Sequence, residues 1–239
     1  MKLEELIKNF RLKPEERKLI IDGDNAKNEN DKEQFVPASF KEIAKCILSG
    51  CFEIKEGDDI VRRVYPTCVE IYYHEESDDE DAIKDYIVYH RNNRNQKNPT
   101  PDTFRLGSFN THQSGIDITF EHQDSNGNVV RASALIRGYK MKIKDEMEKG
   151  RYKDNSPLFV KDEDVDNRST YLYEALFADL SIIKGFSIQW KDRDETIEMT
   201  EPTYRKNVLP YNKYTHQKNK NEKNDDRCWQ FSRKDKNYG

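Results

Sequence analysis

In the stretch "CVEIYYHEE", Glu70, Tyr72 and His74 stand at alternate positions. Residues two apart on an extended strand share a face, roughly 7 Å apart. The stretch would therefore present an acid, a phenol and an imidazole in a row. A carboxylate so placed can activate water or steady a developing positive charge. Glu75 in the same stretch and Asp117 on a later strand are the other candidate carboxylates. Tyr72, Tyr73, His74, Tyr86, Tyr89 and His90 can supply stacking and hydrogen bonds. A plainer reading stands beside each group. Glu70 can be an exposed strand-face acid. Asp117 can form a static cross-strand pair with Arg137. His74 and His112 can be ordinary surface residues, and Tyr86 and Tyr89 core aromatics.

The elements that must position these groups can be read from periodicity. Val69, Ile71 and Tyr73 alternate with the acid–phenol–imidazole row, so one set packs on a core while the other faces a cleft or water. Pro66 suggests a bend or an edge just before them, and the acidic run 77–81 reads as a solvated loop. Upstream, "PASFKEIAKCILSGCF" predicts a helix with Phe40, Ile43, Ala44, Ile47 and Leu48 on one face. Ser39 and Glu42 form a capping box there, and Gly50 closes the end. "MKLEELIKNF" predicts a charged amphipathic helix with Leu3, Leu6, Ile7 and Phe10 on one side, and "DGDNAKNENDKEQ" a polar loop. Strands are predicted over 52–54 and 60–64, joined by a turn at Gly57-Asp58-Asp59.

"SGIDITFEHQDSNGNVVRASALIRGYK" predicts a hairpin. A three-residue loop, Asn126-Gly127-Asn128, sorts its faces: Ile116, Ile118 and Phe120 join Ala132, Ala134 and Ile136, while Asp117, Thr119 and Glu121 join Arg131, Ser133, Leu135 and Arg137. This register sets Asp117 opposite Arg137. After a loop over most of 144–164, "DVDNRSTYLYEALFADLSIIKG" predicts a helix with Leu172, Leu176, Leu180 and Ile183 on one stripe, and "FSIQW" a short strand. The pattern argues for a single α+β domain with a mainly antiparallel, curved sheet and flanking helices.

The 239 residues are 34% hydrophobic and 36% charged, so one core with long polar excursions is expected. The net charge is −4; residues 201–239 carry +5, leaving −9 on 1–200. A globally basic nucleic-acid binder is not indicated. The division expected is an N-terminal helix and loop over 1–37, an α+β domain over 38–200 and a basic polar tail over 201–239. The cysteines (46, 51, 68, 228) form no CxxC pair, and the histidines (74, 90, 112, 122, 216) show no paired ligand spacing. No secretory signal opens the chain and no apolar run approaches a membrane span. A cytoplasmic protein with reduced thiols, no metal and no membrane contact is expected.

Five short motifs occur in order: "IAKCILSGCFEI", "RRVYPTCVEIYY", "IVYHRNNR", "GIDIT" and "SALIRGY", followed by the helix "YLYEALF". This order resembles the alkyladenine (3-methyladenine) DNA glycosylase family over roughly residues 38–185. The resemblance implies a glycosylase-like fold, of the kind shared with the formyltransferase C-terminal domain. It also implies excision of a damaged base from DNA without a cofactor. Glu70 matches the first Glu of the family's strand motif, Arg137 its Arg on the neighbouring strand and His90 its His. The water-activating second Glu is matched by Tyr72, and the Asn near the water by Asp117. Gly107 and Asn110 stand near the family's stacking and intercalating Tyr positions. Scaffold does not carry function with it. Two readings follow: a hydrolase acting on a nucleobase N-glycosidic bond in DNA or a nucleoside, and a non-catalytic module binding a nucleobase or nucleic acid. A third is an interaction domain with no nucleic-acid link.

Overall fold

The computed structural model describes residues 2–25, 35–85, 87–88, 103–112, 115–144, 171–205 and 227–234. His90, Tyr86, Tyr89, His216, the side chain of His112 and most of the stretches 145–170 and 206–239 lie outside the described residues.

Among the described residues three helices lead into the sheet. α1 (Leu3–Lys8) lays Leu3 and Ile7 on the core. α2 (Pro14–Asn25) opens on Pro14, whose missing N–H would have been unpaired in a first turn anyway. Residues 22–25, expected in a polar loop, are its last turn. α3 (Ala38–Ser49) buries Phe40, Ile43, Ala44, Ile47 and Leu48, the stripe its spacing predicts. Its start differs from expectation: the helix begins before Ser39, and the Ser39 N–H donates to Glu16 of α2 at 2.8 Å. Gly50 ends the helix in an extended conformation. A Cβ there would lie 2.1 Å from the Trp190 ring, so close packing is what requires glycine.

The strands are β1 (Cys51–Glu56), β2 (Asp59–Glu75), β3 (Phe109–His112), β4 (Gly115–Thr119), β5 (His122–Gln123), β6 (Val129–Ile143), β7 (Phe186–Lys191) and β8 (Gln230–Ser232), with α4 (Leu172–Phe177) ahead of β7. They form one antiparallel sheet in the order β3-β4-β6-β2-β1-β7, with β5 on β6 and β8 on β2. The fold is a single α+β domain with a curled sheet and few helices. Both outlying stretches of the sequence join it. Leu3, Ile7, Phe10 and Ile20 from the start, and Cys228, Trp229 and Phe231 from the end, lie in the same core as α3 and β2. No disulfide joins the four cysteines.

Pro66 sits in the middle of the longest strand, not at an edge. Pairing between β2 and β6 shifts at Pro66–Cys68 and again at Cys68–Val69. The shifts reset the alternation in both strands. Val64 and Val69 are five residues apart, and Tyr139 and Ile136 three, yet all four face the same core. On its other side β2 passes here from β1, which it pairs over 59–64, to β8, which it pairs over 68–70.

The hairpin keeps its sorted faces but slips by two residues from the expected register. Asp117 lies opposite Leu135, not Arg137. The Asp124 carboxylate accepts the backbone N–H groups of Asn126 and Asn128, both at 2.8 Å, which closes the turn one residue earlier. A two-residue slip leaves every side chain on its face, so face sorting alone could not exclude it. The helix expected through Ile183 is also shorter. Ala178 turns extended, Asp179 takes a positive φ of 54°, and Ile183 is exposed.

Candidate functional site

Val69, Ile71 and Tyr73 face the core, as the alternation predicts, and Glu70, Tyr72 and His74 point the other way. That second face is not a cleft. Glu70 has 0% exposure, and Tyr72 and His74 are buried. Tyr72 packs with Val88 and Leu135, and the segment around Asp85 and Arg205 covers the row.

The row is wired into a continuous polar layer. Arg137 Nε lies 3.1 Å from Glu70 Oε1. The Tyr72 hydroxyl donates to Glu70 Oε2 at 2.6 Å. The Arg205 guanidinium lies 4.9 Å over the Tyr72 ring and donates to both Asp85 oxygens, at 2.7 and 3.3 Å. The Asp85 N–H donates to His74 Nδ1 at 2.9 Å, which places that ring's proton on Nε2, 3.5 Å from Glu76. Glu76 in turn meets Arg131, and Arg131 meets Glu121 at 2.9 Å.

Burial alone would raise the Asp85 carboxyl, but Arg205 and Arg227 outweigh it and hold it below its ordinary value. Burial, reinforced by Glu70, pushes the Tyr72 phenol well above its ordinary value. Tyr72 is therefore a hydrogen-bond donor and not a base.

Glu70 and Arg137 are thus brought together, and His74 joins them through Asp85, Arg205 and Tyr72. Asp117 takes a different neighbour: Asn110, its partner across β3 and β4, donates to it at 3.4 Å. Asn110 is itself buried, and Gly107 sits at a turn with a positive φ of 68°. Neither offers a wedge into a base stack.

Glu75 faces elsewhere. It lines an open cleft of about 660 Å³ where the β2 and β6 ends meet the chain between α1 and α2. It pairs with Arg17, accepts the Tyr73 hydroxyl at 2.9 Å, and accepts the Ile83 N–H at 2.9 Å. His122 lines the same cleft; burial, with Arg11 adding to it, lowers its pKa to about 4. The lining holds two cations, Arg11 and Arg17, against five carboxylates: Glu75, Asp79, Glu80, Asp81 and Asp124. Among the described residues no group of three or more His, Cys, Asp or Glu side chains is placed to hold a metal. No described helix is long and apolar enough to cross a membrane.

Arg205, Arg227 and Asp85 had no local signal. Arg205 and Arg227 belong to the stretch 201–239 that reads as a basic polar tail, yet both are buried. The alternating aromatics of "CWQF", whose Trp229 and Phe231 are core, are the one hint there of a strand. No protein-family model, curated protein or solved structure matches this chain.

Proposed function

We propose that this protein binds a nucleobase- or nucleoside-type ligand without hydrolysing it. The observation that carries this reading is the state of Glu70. A water-activating carboxylate needs a free oxygen at an open site. Glu70 is fully buried, and its two oxygens are engaged by Arg137 and Tyr72. The order of motifs that resembles the alkyladenine DNA glycosylases is the reason to look for a base as ligand. The buried acid row is the reason to expect binding without excision.

The cleft beside Glu75 is the place to look for that ligand. Its volume lies in the range of small-molecule sites. Its excess of carboxylates disfavours a phosphate backbone, so an unphosphorylated or cationic base suits it better than a DNA strand. Equilibrium dialysis with adenine, adenosine and a duplex oligonucleotide should show binding of the first two. Glu75→Gln should weaken that binding roughly tenfold. Binding that Glu75→Gln leaves unchanged would remove the cleft from consideration.

Hydrolysis is the second reading, because Glu75 lines an open cleft; its oxygens are held by Arg17, the Tyr73 hydroxyl and the Ile83 N–H, so it would have to exchange one of these partners for water. It requires turnover on duplex, single-stranded or nucleoside substrates that Glu75→Gln abolishes and that Glu70→Gln and Asp117→Asn leave intact. Strong excision from duplex DNA, insensitive to all three substitutions, would sink both readings.

A further inference from the structure

β7 is the last strand of the sheet, and among the described residues its outer edge has no partner. Its sequence is "FSIQWK". It carries no proline, no irregularity in its pairing with β1 and no charge before Lys191. Those are the devices that usually stop an open edge from adding another strand. The Gly57 N–H donates to the Gly185 carbonyl at 3.3 Å. Antiparallel pairing alternates, so residues 185, 187, 189 and 191 aim their peptide groups at β1, while Phe186, Ile188 and Trp190 aim theirs outward. Just ahead of the strand, Ile182 and Ile183 stand 85% and 94% exposed. The turn that carries them is held in place, with the Ser181 N–H donating to Glu56 at 2.6 Å.

We infer that this edge is a self-association surface, on which β7 of a second copy adds antiparallel to the first. The register centred on Ile188 is self-complementary. It sets Ile188 opposite Ile188 and Phe186 opposite Trp190, with Ser187 and Gln189 together on the other face. Beyond the strands, it brings the turn that carries Lys184 of each copy towards Asp192 of the other. The Lys184 side chain is largely exposed, and its ion pair with the Glu56 carboxylate is long, at 3.9 Å. Asp192 accepts its two hydrogen bonds, from the Leu3 N–H and the Trp190 indole, through a single oxygen, Oδ1. A slip of two residues in either direction would lose the Ile188–Ile188 pair, and in one direction would set Phe186 opposite Asp192. The pairing is isologous, so it closes at a dimer.

Light scattering on the full chain over a concentration series should approach twice the 28.3 kDa of one copy. Amide exchange gives a test at single-residue level. The Phe186, Ile188 and Trp190 amides should gain protection as concentration rises. Those of Ser187 and Gln189, already bonded to β1, should be protected throughout. Lys184→Glu should weaken the dimer roughly tenfold, and Ile188→Pro, which removes an outward N–H, should abolish it. Circular dichroism checks that each variant is folded. A monomer at every concentration would overturn the inference and leave the edge to a different partner. A dimer whose concentration-dependent protection lies elsewhere would overturn it too.

Discussion

At the scale of the residue, Arg137 decides what Glu70 can do. An isolated buried carboxylate would take up a proton or move; this one stays paired, with a phenol closing its second oxygen. Arg137→Met leaves Glu70 buried without its cation and should cost about 3–5 kcal/mol in urea denaturation. Adding Glu70→Leu together with Tyr72→Phe should return most of that loss, because Met, Leu and Phe need no partner, whereas Glu70→Leu alone orphans the Tyr72 hydroxyl. Failure of the combined variant to recover would argue against this account of the pair. His122 gives the pH dependence. Unfolded, it takes up a proton near its ordinary 6.5; folded, only near 4. Between those values the unfolded chain binds more protons, so stability falls as pH drops through the window. A melting series should show that slope, and His122→Gln should flatten it.

At the scale of the element, two local features fix the sheet. Gly50 lets Trp190 of β7 lie against the end of α3, where any side chain would collide with the indole. Gly50→Ala should therefore destabilise by about 1–3 kcal/mol through overpacking, visible as a lower melting temperature. The double shift around Pro66 is the other. It keeps Val64 and Val69 on one core face while β2 exchanges β1 for β8 as its neighbour. Proline is tolerated in this central strand because the ladder is already irregular there.

At the scale of the whole molecule, residues 3–20 and 227–233, near the two ends of the chain, are structural. β8 lies against β2 at Cys68, Val69 and Glu70, the start of the acid row itself. Phe231 is fully buried in the common core. Phe231→Ala should cost about 3–5 kcal/mol and lower the melting temperature of the whole domain in one transition. A variant as stable as the parent would mean that β8 does not belong to the core.

The sequence by itself determined the α+β class, the apolar stripe of α3, the two faces of the hairpin and the alternation that separates Val69, Ile71 and Tyr73 from Glu70, Tyr72 and His74. These follow from local periodicity, which each element carries in its own residues. Only the tertiary structure decided that the second face is covered, because the covering groups come from two segments far apart in the chain, one around Asp85 and Val88 and the other at Arg205. It also decided the hairpin register, since slips of two residues preserve the pattern and the Asp124 turn makes the choice. The ion pair of Glu70 with Arg137 arises at the irregular stretch of β2 and β6, where a residue count along the strands no longer predicts who faces whom.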